Sequence, residues 1–81
     1  LNIYPNPATD EINVSFELSK RTDVTFKIYD LQGKVMKNIT WNNMSSGAHT
    51  MNFDCAKFPI GTYFAIVESM EVNKVAKFVK Y

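Results

Sequence analysis

Only one cysteine, Cys55, occurs among the 81 residues, so no intrachain disulfide can form and the chain must hold together by packing alone. Proline and glycine are scarce, at three each, and both fall between apolar runs, where they mark turns. No stretch approaches the roughly 20 apolar residues of a membrane-spanning helix, and none has the basic, apolar and small-residue order of a signal peptide. Neither sign of charge predominates. Nine Lys and Arg stand against eight Asp and Glu, interspersed along the chain, and nothing demands a nucleic-acid or anionic-membrane partner. The nearest approach to a basic cluster is Lys74, Lys77 and Lys80, whose period of three divides them between the faces of a strand and assigns them a solvated or edge-guarding role. Helical periodicity, low-complexity tracts and internal repeats are missing as well.

What is abundant is β-forming. Aromatic residues make up 14% of the chain, and with Val and Ile they favour half-buried strands. A chain this short buries only roughly 60 to 65% of the surface its unfolded form exposes, enough for one small core. The clearest signal is Ile12, Val14, Phe16 and Leu18 alternating with Asn13, Ser15 and Glu17, a period of two with one apolar face. After a polar break from Ser19 to Asp23, Val24, Phe26 and Ile28 repeat the pattern, and the two runs are expected to pair antiparallel.

Asp30, Leu31, Gln32 and Gly33 read as a tight connection, since Gly takes a positive φ without steric cost. The run Lys34 to Trp41 places Val35, Ile39 and Trp41 on one parity with Lys37, which predicts a bulge or an exposed edge there. Met51, Phe53 and Cys55 share a parity after the polar Asn42 to Gly47 connection. Phe58, Pro59, Ile60 and Gly61 form a second punctuated link. Thr62 to Ser69 is apolar at both parities, as expected of a strand covered on both sides. Lys74 to Tyr81 closes the chain, with Ala76 and Phe78 alternating with Lys77. With Asn2 to Tyr4 the count is about seven antiparallel strands, and the fold expected is an all-β, immunoglobulin-like sandwich.

The opening Tyr4-Pro5-Asn6-Pro7-Ala8-Thr9-Asp10 has two prolines that remove two backbone donors and push Tyr4 and Asn6 towards extended conformations. Asn6 is expected to close a local side-chain turn between the first two strands. Here the sequence resembles the C-terminal sorting domains of the type IX secretion system of Bacteroidetes, which open on a Tyr-Pro-Asn-Pro type motif. Ile28 to Val35 resembles that family's strand-turn-strand, Gly61 to Phe64 its Gly-x-Tyr segment, and Lys77 to Lys80 its terminal Lys-containing strand. Each fragment is weak alone, but the four occur in family order and span essentially the whole chain.

The resemblance implies a non-catalytic module, residues 1–81, that directs an N-terminal cargo across the outer membrane. Its implied partners are the outer-membrane translocon, shuttle proteins and a sortase-like cysteine peptidase that removes the domain upstream of Leu1. The implied route is the periplasm in transit, then the cell surface or the medium. It puts recognition on Pro5, Asn6, Pro7, Asp30, Gly33, Gly61, Tyr63, Lys77, Phe78, Val79 and Lys80. An exposed edge of the last strand is the expected docking mode, because unpaired backbone groups can accept a partner strand. The start at Leu1, inside an apolar-alternating stretch, is read as a module cut from something longer.

Other chemistry is thin. His49 and Cys55 lack the third group that orients a Cys-His pair, and one His with one Cys does not supply a four-ligand zinc site. Asp10, Asp23, Asp30 and Asp54 fall at strand ends without calcium-loop spacing, which favours turn capping. No metal, cofactor or catalytic residue is therefore assigned. The alternative reading is an accessory immunoglobulin-like spacer or a carbohydrate-binding module built around Trp41.

Overall fold

A computed structural model describes residues 1–81. Its seven strands are β1 (Asn2–Tyr4), β2 (Glu11–Leu18), β3 (Thr22–Asp30), β4 (Val35–Met44), β5 (Gly47–Asp54), β6 (Gly61–Glu68) and β7 (Asn73–Lys80), with no helix. They form a three-stranded sheet, β1-β2-β5, packed on a four-stranded sheet, β4-β3-β6-β7, with every strand pair antiparallel. The all-β sandwich of seven antiparallel strands expected from the sequence is the fold observed.

The expected pairing of the first two alternating runs is not. β2 pairs with β1 and β5, whereas β3 pairs with β4 and β6. Each run has a single apolar face, and the short Ser19–Arg21 link carries the chain from one sheet to the other. Ile12, Val14 and Leu18 then meet Val24, Phe26 and Ile28 across the core, all at most 2% exposed. Pairing side by side would align the two stripes without covering either, so stacking is the better burial.

At the centre, Phe26 of β3 and Phe53 of β5 stack with centroids 4.6 Å apart and planes 9° from parallel. Trp41, half-buried on the edge strand β4, tilts against both rings. The register between β3 and β4 shifts where Ile28 and Tyr29 oppose Lys37 and Val35, which leaves Met36 as the extra residue of the expected bulge. Lys37, on the core-side parity, stays half-exposed, and its ammonium lies 5.5 Å from the Phe53 centroid.

β6 is covered on one face, not two. Tyr63, Ala65 and Val67 are buried in the core, while Phe64 and Ile66 on the outer face are only half-buried. No third layer lies over them. β6 sits inside its sheet, so Tyr29 and Lys77 beside Phe64, and Lys27 and Val75 beside Ile66, supply the lateral cover.

At the pole where β2 passes to β3 and β6 to β7, Glu71 clasps Ser19. The Ser19 N–H donates to Oε1 at 2.6 Å and the Ser19 hydroxyl donates to Oε2. The hydroxyl bond first, then the backbone N–H, holds the Glu71 carboxyl below its ordinary range. A carboxylate with a depressed folded pKa stabilises above its unfolded pKa and loses that contribution as pH falls through the folded one. The stability advantage of the wild type over Glu71→Gln is therefore expected to be full at neutral pH. It should shrink as pH drops below about 4.3, the unfolded glutamate value. Thermal unfolding of both proteins from pH 7 to 3 checks this, and a pH-independent difference between them would refute it.

Candidate functional site

The β1–β2 turn, the β3–β4 turn, the β5–β6 connection and the end of β7 lie at one pole of the sandwich. The registers put them there: Tyr4 opposes Asn13, Glu11 opposes Asp54, Asp30 opposes Tyr63 and Gly61 opposes Lys80. All four segments that carry the family resemblance are thereby brought together, although they are scattered from residue 4 to residue 80.

The Pro-Asn-Pro opening does link β1 to β2, but Asn6 does not close a local turn. Both Tyr4–Pro5 and Asn6–Pro7 bonds are cis. Between two residues that cannot donate, the Asn6 carboxamide takes the part of a peptide group. Its Oδ1 accepts the Val79 N–H at 2.9 Å and its Nδ2 donates to the Lys77 carbonyl at 3.4 Å. The strand-like contact continues at Ala8, whose N–H donates to the Val79 carbonyl at 2.7 Å and whose carbonyl accepts the Tyr81 N–H at 2.8 Å. Ala8 and Lys80 form a parallel bridge. Residues 6–8 thus act as a strap along the outer edge of β7.

That strap corrects the expectation of a free terminal edge. The outward backbone groups from the Lys77 carbonyl to the Tyr81 N–H are occupied. By the alternation of an antiparallel ladder, only those of Asn73 and Val75 and the Lys77 N–H remain open.

An exposed hydrogen bond contributes about 0.5–1.5 kcal/mol net. Asn6→Ala is accordingly expected to lower stability by about 1–2 kcal/mol through its two bonds and to accelerate hydrogen exchange of the Val79 amide, while Val14 in the core of β2 keeps its protection. Asn6→Asp retains an acceptor for Val79 but has no donor for Lys77, and should fall between. Unchanged exchange at Val79 in Asn6→Ala would remove the strap as a stabilising contact.

The β3–β4 turn is tied by Asp30. Its Oδ1 accepts the N–H groups of Gln32 and Lys34, each at 2.9 Å, and its carbonyl accepts the Gly33 N–H at 3.1 Å. Gly33 sits at φ 87°, a conformation that disfavours any side chain. Gly61 opens β6 opposite Lys80. Two residues on, Tyr63 is 3% exposed, its ring between Phe58 at 5.3 Å and Phe78 at 5.6 Å. The Tyr63 hydroxyl donates to the Pro59 carbonyl at 2.6 Å, and burial, then the Asp30 charge, pushes its pKa up.

Phe78 is buried, Val79 half-buried and Lys77 exposed. Lys80 departs from the solvated role expected of it. It shares the core parity of Ala76 and Phe78, is 6% exposed, and donates from Nζ to the Tyr81 carbonyl at 2.6 Å. Its stem packs while its head finds a carbonyl at the rim.

Sequence reasoning missed Ala8, fully buried and bonded through both backbone groups; its only signal was its spacing of two from Asn6. It missed also a cleft of about 480 Å³ between the β3–β4 turn and the β5–β6 connection.

The remaining candidates stay apart. His49 and Cys55 are six residues apart on and just past β5, about 20 Å along an extended strand. His49 stacks on Phe16, with Nε2 2.6 Å from the Ser45 carbonyl. Cys55 is 1% exposed, its Sγ 3.8 Å from the Thr9 carbonyl, and burial pushes its thiol up despite the opposing Lys80 charge. Asp54 caps its own turn through the Ala56 N–H, while Asp23 takes the Asn43 N–H at a second register shift, where Thr22 and Val24 oppose Met44 and Trp41. No three His, Cys, Asp or Glu side chains converge as a metal site. Trp41 is half-buried and tilts against Phe26 and Phe53.

Fold and pole together define a small β-sandwich module whose motif residues lie at one end. The chain matches the family of secretion system C-terminal sorting domains over residues 2–81, and it belongs to that family. No curated protein sequence matches it. A domain of this family is a sorting signal for type IX secretion. Membership implies interaction with that machinery, an N-terminal cargo, and export to the cell surface or the extracellular space. Such domains are generally non-catalytic.

Proposed function

We propose that residues 1–81 form the single sorting domain of a larger cargo protein, and that the strapped pole is the surface by which the translocon recognises it. The observation that supports this is convergence: Asn6 and Ala8 bond the Lys77–Tyr81 edge, Asp30 pairs with Tyr63 across β3 and β6, and both of those residues tie loops at the same end. In this reading the domain carries its cargo through the periplasm with shuttle proteins and is itself no catalyst. A sortase-like cysteine peptidase then cuts upstream of Leu1.

The test is a folded reporter fused ahead of this chain in a bacterium that has a type IX system. Its delivery is compared with that of fusions lacking Lys77 to Tyr81 or carrying Pro5→Ala with Pro7→Ala. Delivery to the surface or medium that needs the intact pole supports the proposal. A reporter that stays in the periplasm behind an intact, folded domain would overturn it in favour of an accessory spacer.

A further inference from the structure

The cleft at the strapped pole has two rims from distant parts of the chain. One is the Asp30–Lys34 turn, the other the loop from Lys57 to Ile60, and its volume of about 480 Å³ falls within the range of pockets that hold ligands. Both rims are fixed. The first is tied by the two N–H bonds to Asp30 Oδ1, and the second by the Tyr63 hydroxyl on the Pro59 carbonyl. Each rim carries a large aliphatic side chain in water, Leu31 at 67% and Ile60 at 78% exposed. Apolar tips concentrated about one cleft mark an interaction site more often than chance exposure.

The charge of the cleft has a sign. Lys34 and Lys57 line it against one acid, Asp30, and one oxygen of that acid is already spent on its own turn. The lining therefore sums to two positive charges less one negative. It offers no free aromatic face on which a sugar ring would stack, and no planar fork of donors for a phosphate.

We propose that this cleft docks an extended segment of the translocation machinery in which an acidic side chain stands between aliphatic ones: the carboxylate meets Lys34 and Lys57, and the aliphatic groups cover Leu31 and Ile60. The proposal rests on the sorting reading above and adds to it the place and chemistry of the partner. A second copy of this chain is a poorer occupant. In its acidic connection, Glu68 to Val72, both acids are half-buried and Glu71 is already held by Ser19.

The experiment uses the full reporter fusion. Lys34→Glu with Lys57→Glu, and separately Leu31→Ser with Ile60→Ser, are compared with Lys20→Glu plus Lys74→Glu outside the cleft. The cleft variants are expected to reduce export by about tenfold or more, with the control within about twofold, since reversing charge at a docking surface turns attraction into repulsion. A photoreactive residue at Ile60 should cross-link to a translocon peptide, sequenced by mass spectrometry, that contains Asp or Glu beside aliphatic residues; one at Met70, on the opposite pole, should not.

Folded cleft variants that export normally, while the intact domain exports, overturn the cleft and leave the sorting reading standing. If the intact domain itself fails to export, both fall. A cross-link from Ile60 to a second copy of this chain or to a basic segment also overturns the proposal. Should a charge-reversal variant unfold, the Ile60 cross-link alone decides, because that side chain is exposed.

Discussion

Phe26→Ala is expected to leave the domain at the margin of folding. The side chain is fully buried and stacked on Phe53, with Trp41 against its edge. Removing it takes away a ring that packs on both the facing sheet and the β4 edge. Large aromatic to alanine changes in a core cost about 3–5 kcal/mol. At about 0.05–0.15 kcal/mol per residue, 81 residues hold only about 4–12 kcal/mol in all. With no disulfide to limit the unfolded chain, nothing offsets the loss. Denaturant titration should show a midpoint far below that of the wild type with the same slope, or no native baseline. Phe26→Leu, which keeps most of the apolar volume, should cost less than half as much. A Phe26→Ala loss under about 1.5 kcal/mol, the range of volume-conserving swaps, would mean that the stack is not the centre of the core.

Phe26 was legible as a core residue because strand parity reports which face of a strand is apolar. Parity does not report which strand lies alongside. The alternating runs of β2 and β3 look like a hairpin in sequence, and a pair stacked across a core carries the same pattern. What separates them is how the chain crosses at Ser19–Arg21, a three-dimensional property. β6 failed for a related reason. An apolar outer face reads as a second buried layer, yet lateral cover from Tyr29, Lys77, Lys27 and Val75 suffices when the strand is interior to its sheet.

What was legible at the pole was a set of candidate residues, not the bonds that hold them. Pro5, Asn6, Pro7, Asp30, Gly33, Gly61, Tyr63 and the terminal strand could be named from the sequence, and they converge. That Asn6 bonds to a strand 73 residues away could not, because a carboxamide serves a local turn and a distant edge equally well. Lys80 lay on the core parity all along, but charge argues for water until a nearby carbonyl is known. Leu31 and Ile60 gave no signal, since single aliphatic residues in turns have no period to betray them.

The terminal strand is where core and pole meet, and Phe78→Ala tests both. Phe78 is fully buried, its ring 5.6 Å from that of Tyr63. Tyr63 in turn holds Pro59 at the cleft rim, and the residues around Phe78 carry the Asn6 and Ala8 strap. Loss of the ring should cost about 3–5 kcal/mol as a core truncation. It should also loosen the Lys57–Ile60 loop, so that export of a fused reporter fails. Val75→Ala is the contrast: Val75 lies on the same strand but outside the strap, its side chain is 63% exposed, and both stability and export should largely persist. Phe78→Leu separates the two roles of the ring. It refills most of the cavity and should recover most of the stability. Export that recovers in step would mean that Phe78 acts by holding the pole together. Export that stays low in a folded Phe78→Leu domain would mean that the aromatic pair with Tyr63 sets the shape the translocon reads.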